Sequence, residues 1–352
     1  MKRKLFLLPI AAAALLVSCN AIEEPASGAG DGKAVVVNFS LGTATRATSG
    51  ISDDAVTTAY VFAFDGDRLD GSASASGKSG SISVTPGSRT FIAVVNPNTE
   101  FSFTGISSPD EVMSLVSNLA SEELDDMVMV GSSTAQISES TATVTIPVTR
   151  LVSKISVNSL KFDLTGALEG KSVSNVALYI KNYPTTESYS GVAGTTYTSG
   201  LYPLNQETFE VYDAIGTMAD GAVETGHQFF CYPRKTTTNI SGSKTIRLCV
   251  MGTIDGQKYY WSLPVNNGTF WNSGAFTAGD EHFGVMRNHS YEYNITITRA
   301  GVPDDGGDPD PTDPEDHGKD DLEDDEDLST SELSFTLNVV PFVEVAEQEI
   351  SF

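Results

Sequence analysis

Near one end the chain reads Val35-Val36-Val37-Asn38-Phe39-Ser40-Leu41, and near the other Leu333-Ser334-Phe335-Thr336-Leu337-Asn338-Val339. In the first, Val35, Val37, Phe39 and Leu41 alternate with Val36, Asn38 and Ser40. In the second, Leu333, Phe335, Leu337 and Val339 alternate with Ser334, Thr336 and Asn338. Successive strand side chains point to opposite faces, so each stretch reads as a strand with one apolar face. The same pattern continues inward. Alternating or β-branched runs at 59–64, 80–84, 90–95, 141–148, 155–162, 176–181, 244–252, 258–264 and 291–298 recur between Gly, Ser, Asn and Pro clusters. That spacing predicts an all-β chain of sandwich architecture.

One segment departs from it. Ser108-Pro109-Asp110-Glu111 has the form of an N-cap, a first-turn proline and early acidic residues. Val112, Leu115, Val116 and Leu119 follow at helical spacing, which predicts one helix of about three turns in the first sandwich. The divisions expected are a leader at 1–18, a tether with the first strand at 19–46, sandwiches at 47–149 and 150–301, a linker at 302–331 and terminal strands at 332–352. In the linker, residues 304–327 hold fourteen carboxylates and one Lys, and prolines stand at 303, 309, 311 and 314. Self-repulsion and proline make such a segment an extended, solvated spacer.

Lys2, Arg3 and Lys4 precede the apolar run 5–17, which is too short for a membrane span and has the pattern of an export signal. It ends in Leu16-Val17-Ser18-Cys19, which resembles the lipobox of bacterial lipoproteins, so Cys19 is the expected site of lipidation. A formal net charge of −25 argues against nucleic acid and against attraction to anionic lipid. Cys231 and Cys249 lie symmetrically about Ile240 in a turn-rich stretch. Two readings stay open for them: a disulfide across a hairpin, favoured by an oxidising compartment, or two buried thiols on neighbouring strands.

The two opening stretches suggest more than a shared fold. The C-terminal one hangs on the acidic linker and need not return to its own body. The N-terminal one is followed by Arg46 and Ala47 within the small, polar segment 42–50, a setting suited to proteolysis. An Arg-specific protease cutting there would release the lipid and the first strand together. The sheet edges left behind are pairing templates, and a C-terminal strand from a neighbouring copy has the matching pattern. Such head-to-tail exchange does not close on itself and builds a filament.

At this point the residues resemble a known family. Cys19 with its lipobox, Thr45-Arg46-Ala47, the run Val148-Thr149-Arg150-Leu151-Val152-Ser153-Lys154-Ile155, and Arg287-Asn288-His289-Ser290-Tyr291-Glu292-Tyr293 appear in order. They are followed by the Asp/Pro linker, Val339-Val340-Pro341-Phe342 and a Gln348-Glu349-Ile350-Ser351-Phe352 finish. This series is similar to the type V fimbrillins, the subunits of FimA- and Mfa-type fimbriae, with the acidic linker closer to the Mfa branch. Phe342 stands where many relatives would have Trp. The resemblance implies two transthyretin-like β-sandwiches, export to the outer membrane as a lipoprotein, cleavage between Arg46 and Ala47, and polymerisation through the C-terminal strands. The partners implied are identical or related fimbrial subunits, an Arg-specific protease, the outer membrane before cleavage and a surface receptor on host or bacterial cells. The role expected is the stalk; anchor and tip roles are the alternatives, as is a surface glycan-binding lipoprotein.

No enzyme, cofactor or metal site is expected. His227, His282, His289 and His317 are scattered, with no Cys, Asp or Glu at metal-ligand spacing. The carboxylate run lacks the register that would converge oxygens on Ca²⁺. Tyr259, Tyr260, Trp261 and Trp271 read as core and sheet-face aromatics before they read as a sugar platform. Arg150 and Lys154 suit an edge or interdomain tie.

Overall fold

The computed structural model describes residues 34–43, 55–97, 103–123, 126–138, 143–192, 197–198, 212–235, 245–266, 284–303 and 333–341. Alternation governs its first half. The strands are β1 (Val35–Thr43), β2 (Ala59–Asp65), β3 (Arg68–Ala75), β4 (Ser79–Val84) and β5 (Gly87–Val95). Then come α1 (Pro109–Met113), β6 (Val116–Asn118), β7 (Met129–Ile137) and β8 (Thr143–Arg150). Seven of these strands form one sheet in the order β3-β2-β5-β7-β8-β1-β4. It curls, so that its two ends meet: a Cβ added at Gly71 of β3 would lie 2.2 Å from the Ser83 carbonyl oxygen of β4.

Strands β2 and β5 are apolar on both faces, and their alternation sorts two cores. Ala59, Val61, Ala63, Phe91, Ala93 and Val95 face an inner core with Val37, Phe39, Leu41, Ile82, Val84, Ile146 and Val148. Phe62, Phe64, Ile92 and Val94 face a second core, shared with the remainder of the chain.

That remainder runs through β9 (Ser153–Phe162), β10 (Val173–Lys181), β11 (Thr186–Ser188), β12 (Tyr212–Met218), β13 (His227–Cys231), β14 (Arg247–Ile254), β15 (Gln257–Pro264), β16 (His289–Ile297) and β17 (Leu333–Pro341). One sheet has the order β12-β10-β14-β15, with Val302–Pro303 on its edge. In the other, β9 pairs with β13 and, in parallel, with β16, and β17 pairs antiparallel with β16. Ile155, Val157, Leu160 and Phe162 of β9 meet Leu178, Ile180, Leu248, Val250 and Trp261 of the opposite sheet in the second core. Trp261 is buried there and donates its indole N–H to the Arg299 carbonyl at 3.1 Å, so it is a core aromatic.

Two sequence expectations need correction. The helix has five residues, not three turns. The N-cap at Ser108 forms as predicted, and the structure adds a capping box in which Ser108 and Glu111 bond each other's backbone N–H. After Ser114, however, the chain turns into β6 because Val116–Asn118 finds a ladder partner in Thr186–Ser188. A short helix is marginal by itself, so a tertiary pairing overrides its apolar spacing. Of the two cysteine readings, buried thiols hold, though not on neighbouring strands, and the disulfide hairpin does not form. Cys231 and Cys249 are buried and not in a disulfide, on strands of different sheets, because β13 pairs with β9 while β14 pairs with β10 and β15.

Strands β3, β7, β12 and β13 were not legible in the sequence pattern. β3 and β7 consist largely of Gly, Ala, Ser and Thr. The reason is close packing. At Gly131 of β7 a Cβ would lie 1.7 Å from the Pro147 carbonyl oxygen, so small residues mark where backbones approach.

Candidate functional site

The molecule's most telling feature is where β1 lies. It is an inner strand, antiparallel to β4 (Val35 opposite Val84 through Ser40 opposite Ser79) and parallel to β8 (Asn38 beside Thr143 through Thr43 beside Val148). β8 meets β7 only at Val130–Thr149 and Met129–Arg150. Over 143–148, therefore, its ladder neighbour is β1. The Leu41 N–H also reaches the Lys78 carbonyl at 2.7 Å, and the Ser40 and Thr145 hydroxyls are 3.3 Å apart.

Of the four apolar residues predicted for the inward face, Val37, Phe39 and Leu41 are buried, while Val35 at the strand's start is half-buried. Val36, on the other face, is 65% exposed. Phe39 lies over Gly80, where a Cβ would stand 2.5 Å from the ring. Gly80 thus supplies the space that the aromatic ring fills. Among the described strands, β1 alone links β4 to β8.

The C-terminal strand is placed differently. β17 adds to the outer edge of β16, with Leu333, Phe335, Leu337 and Val339 opposite Ile297, Ile295, Tyr293 and Tyr291. Those four β16 residues are buried. The strand therefore does return to its own body, at an edge with one ladder neighbour. Cys19, Arg46 and Ala47, together with His282, His317 and Trp271, lie outside the described residues.

A polar junction between the two halves was missed in the sequence. β6 and β11 place Ser117 opposite Glu187. Glu122 is fully buried and accepts from the Val128 N–H (2.8 Å), Ser117 Oγ (3.0 Å) and Tyr232 OH (2.7 Å). Glu187 is also buried, and its Oε1 accepts from Arg287 Nη2 at 2.6 Å and Nε at 3.0 Å. Arg287 reaches on to the Tyr189 and Ser188 carbonyls at 3.1 and 3.0 Å. Burial drives the Glu122 carboxyl upward and Glu187 up to about 7, even with the Arg287 guanidinium against it. That Glu122, Glu187 and Arg287 share one junction gives no sequence signal, because only the fold brings them together. Arg150, singled out in the sequence, serves as such a tie: it is buried at the end of β8, with Nη1 3.4 Å from Asn288 Oδ1.

The arrangement is one of interlocking strands. Among the described residues, no cluster of three or more His, Cys, Asp or Glu could hold a metal ion. Known proteins share this fold. A fimbrillin from Porphyromonas gingivalis is 17% identical, with a TM-score of 0.59 over 89% of this chain and 99% of that one. A cell-adhesion candidate from Bacteroides eggerthii is 16% identical, with a TM-score of 0.57 over 88% of this chain and 96% of that one. At such identities these likenesses show the fold. No curated protein matches the sequence. The family described as fimbrillin-A associated anchor proteins Mfa1 and Mfa2 matches residues 24–314, and the chain belongs to that family of fimbrial subunits.

Proposed function

We propose that this protein is a stalk subunit of a surface fimbrium, assembled by replacing β1 with the C-terminal strand of a neighbouring copy. In this reading the chain is two tandem transthyretin-like sandwiches, exported as a lipoprotein on Cys19. Cleavage between Arg46 and Ala47 then frees the lipid and β1. The supporting observation is that β1, the strand nearest that cleavage point, is an inner strand and not an edge. Burying Val37, Phe39 and Leu41 contributes roughly 4–9 kcal/mol before ordering costs. Its departure would open the inner core and bare β4 and β8 together.

The incoming strand has a reason to move. On β16 it has one ladder neighbour, whereas the vacated slot offers two. Residues 342–352 would add a second, less regular strand beyond Pro341, which cannot donate to a ladder. Arg-specific cleavage is expected to convert monomer into ladders on a gel, and deletion of 329–352 to abolish them while leaving a folded monomer. Ladders that persist without 329–352 would refute the mechanism.

The family description favours a second reading, an anchor that keeps both β1 and its lipid. Mass spectrometry of the surface-assembled protein separates the two: an N-terminus at Ala47 marks a stalk, an acylated Cys19 an anchor.

A further inference from the structure

Removing β1 leaves its two neighbours unequally supported. β8 keeps a ladder to β7 through Thr149 and Arg150. β4 ends the sheet, and among the described strands its ladder neighbour is β1 alone. Something else must hold β4 once that ladder is gone. Ile82 and Val84 face the inner core, which the departure of β1 opens.

One restraint that remains is polar and sits at the strand's exit. Thr85, the residue after β4, donates its N–H to Asp70 Oδ2 at 2.7 Å and its hydroxyl to Oδ1 at 2.8 Å. Asp70 belongs to β3, across the closure of the sheet. Arg89 of β5 donates Nε to Asp70 Oδ2 at 2.8 Å, and Nη2 to the Thr85 hydroxyl and the Pro86 carbonyl. The Arg89 and Asp70 side chains are 5% and 6% exposed. Burial pushes the Asp70 carboxyl up, but the bonds from Arg89 and Thr85 outweigh it and hold it below its ordinary value. β3 also backs β4 directly where Gly71 meets Ser83. None of these bonds involves β1.

We infer that the Asp70–Thr85–Arg89 clamp keeps β4 standing as the wall of the slot while no strand occupies it. Thr85 and Asp70 are then positioning residues for strand capture, a role that rests on the strand-replacement reading above. In the uncleaved chain the β1 ladder and the clamp are redundant. After cleavage the ladder is gone, and the clamp acts together with the close β3–β4 contact at Gly71 and Ser83.

Thr85→Val removes the hydroxyl and spares the N–H bond; Thr85→Ser keeps both. Each variant and the wild type would be cleaved after Arg46 and freed of β1. Amide exchange over residues 79–84 is then measured, along with anisotropy of a labelled peptide of residues 329–352. In cleaved T85V we expect exchange about tenfold faster and peptide affinity roughly tenfold lower, with T85S within about twofold of wild type. Uncleaved T85V should melt within about 3 °C of wild type. Wild-type exchange in cleaved T85V would overturn the inference, and so would an equal loss in the uncleaved chain. If the wild type captures no peptide, the strand-replacement reading falls, and the exchange measurement still decides the clamp.

Discussion

β1 and β17 are written in nearly the same sequence pattern, yet the fold treats them as opposites. β1 is gripped on both sides and lines a core that would open without it. β17 lies along one edge, at the far end of an acidic spacer. A period-two pattern specifies which residues share a face. It does not specify how many neighbours the strand acquires, and neighbours decide whether its loss is local or global.

The largest expected effect tests the depth of the β1 slot. Phe39→Ala empties the space above Gly80 and should cost about 3–5 kcal/mol in denaturant melts of the uncleaved chain. A cost below about 1 kcal/mol would mean that β1 is no more committed than an edge strand. Amide exchange makes the comparison directly: amides of β1 should exchange at least ~100-fold more slowly than those of β17. Equal rates would erase the distinction.

Gly80→Ala comes next. The added methyl presses on the Phe39 ring and should destabilise the uncleaved chain by about 1–3 kcal/mol. Because the clash requires Phe39, pairing it with Phe39→Leu should recover part of the loss.

The smallest effect concerns the junction, which neither strand touches in its ladder register. Glu187 is raised in the folded state, so it binds its proton more tightly there than in the unfolded chain. Its stabilising contribution is complete below the unfolded carboxyl value and is lost as pH rises through about 7. Stability should therefore rise by about 1 kcal/mol from pH 8 to pH 6, and Glu187→Gln should flatten that slope. Asp70 has the opposite sign. Its lowered carboxyl loses stability only as pH falls below the usual carboxylate range, so the two groups titrate in separate windows.

Much of this was legible in advance where side chains alternate by size. The inward set of β1 was read as Val35, Val37, Phe39 and Leu41, and three of these are buried. The N-cap at Ser108 was likewise local and readable. β3 and β7 were not, because Gly71 and Gly131 are small for reasons that lie on other strands. The pairing of β6 with β11, the Glu122–Tyr232 bond and the separation of Cys231 from Cys249 depend on contacts across long stretches of chain.

By itself the sequence determined that this protein is built of strands, which faces of the two terminal stretches are apolar, and that an acidic spacer separates the last from the rest. These follow from backbone geometry and charge, which act over a few residues. Only the tertiary structure decided that β1 is flanked by β8 and β4, that Asp70 reaches Thr85, and that two buried glutamates meet at the junction. Such relations arise when sheets curl and close, and the burial that results, not the local pattern, sets their energies.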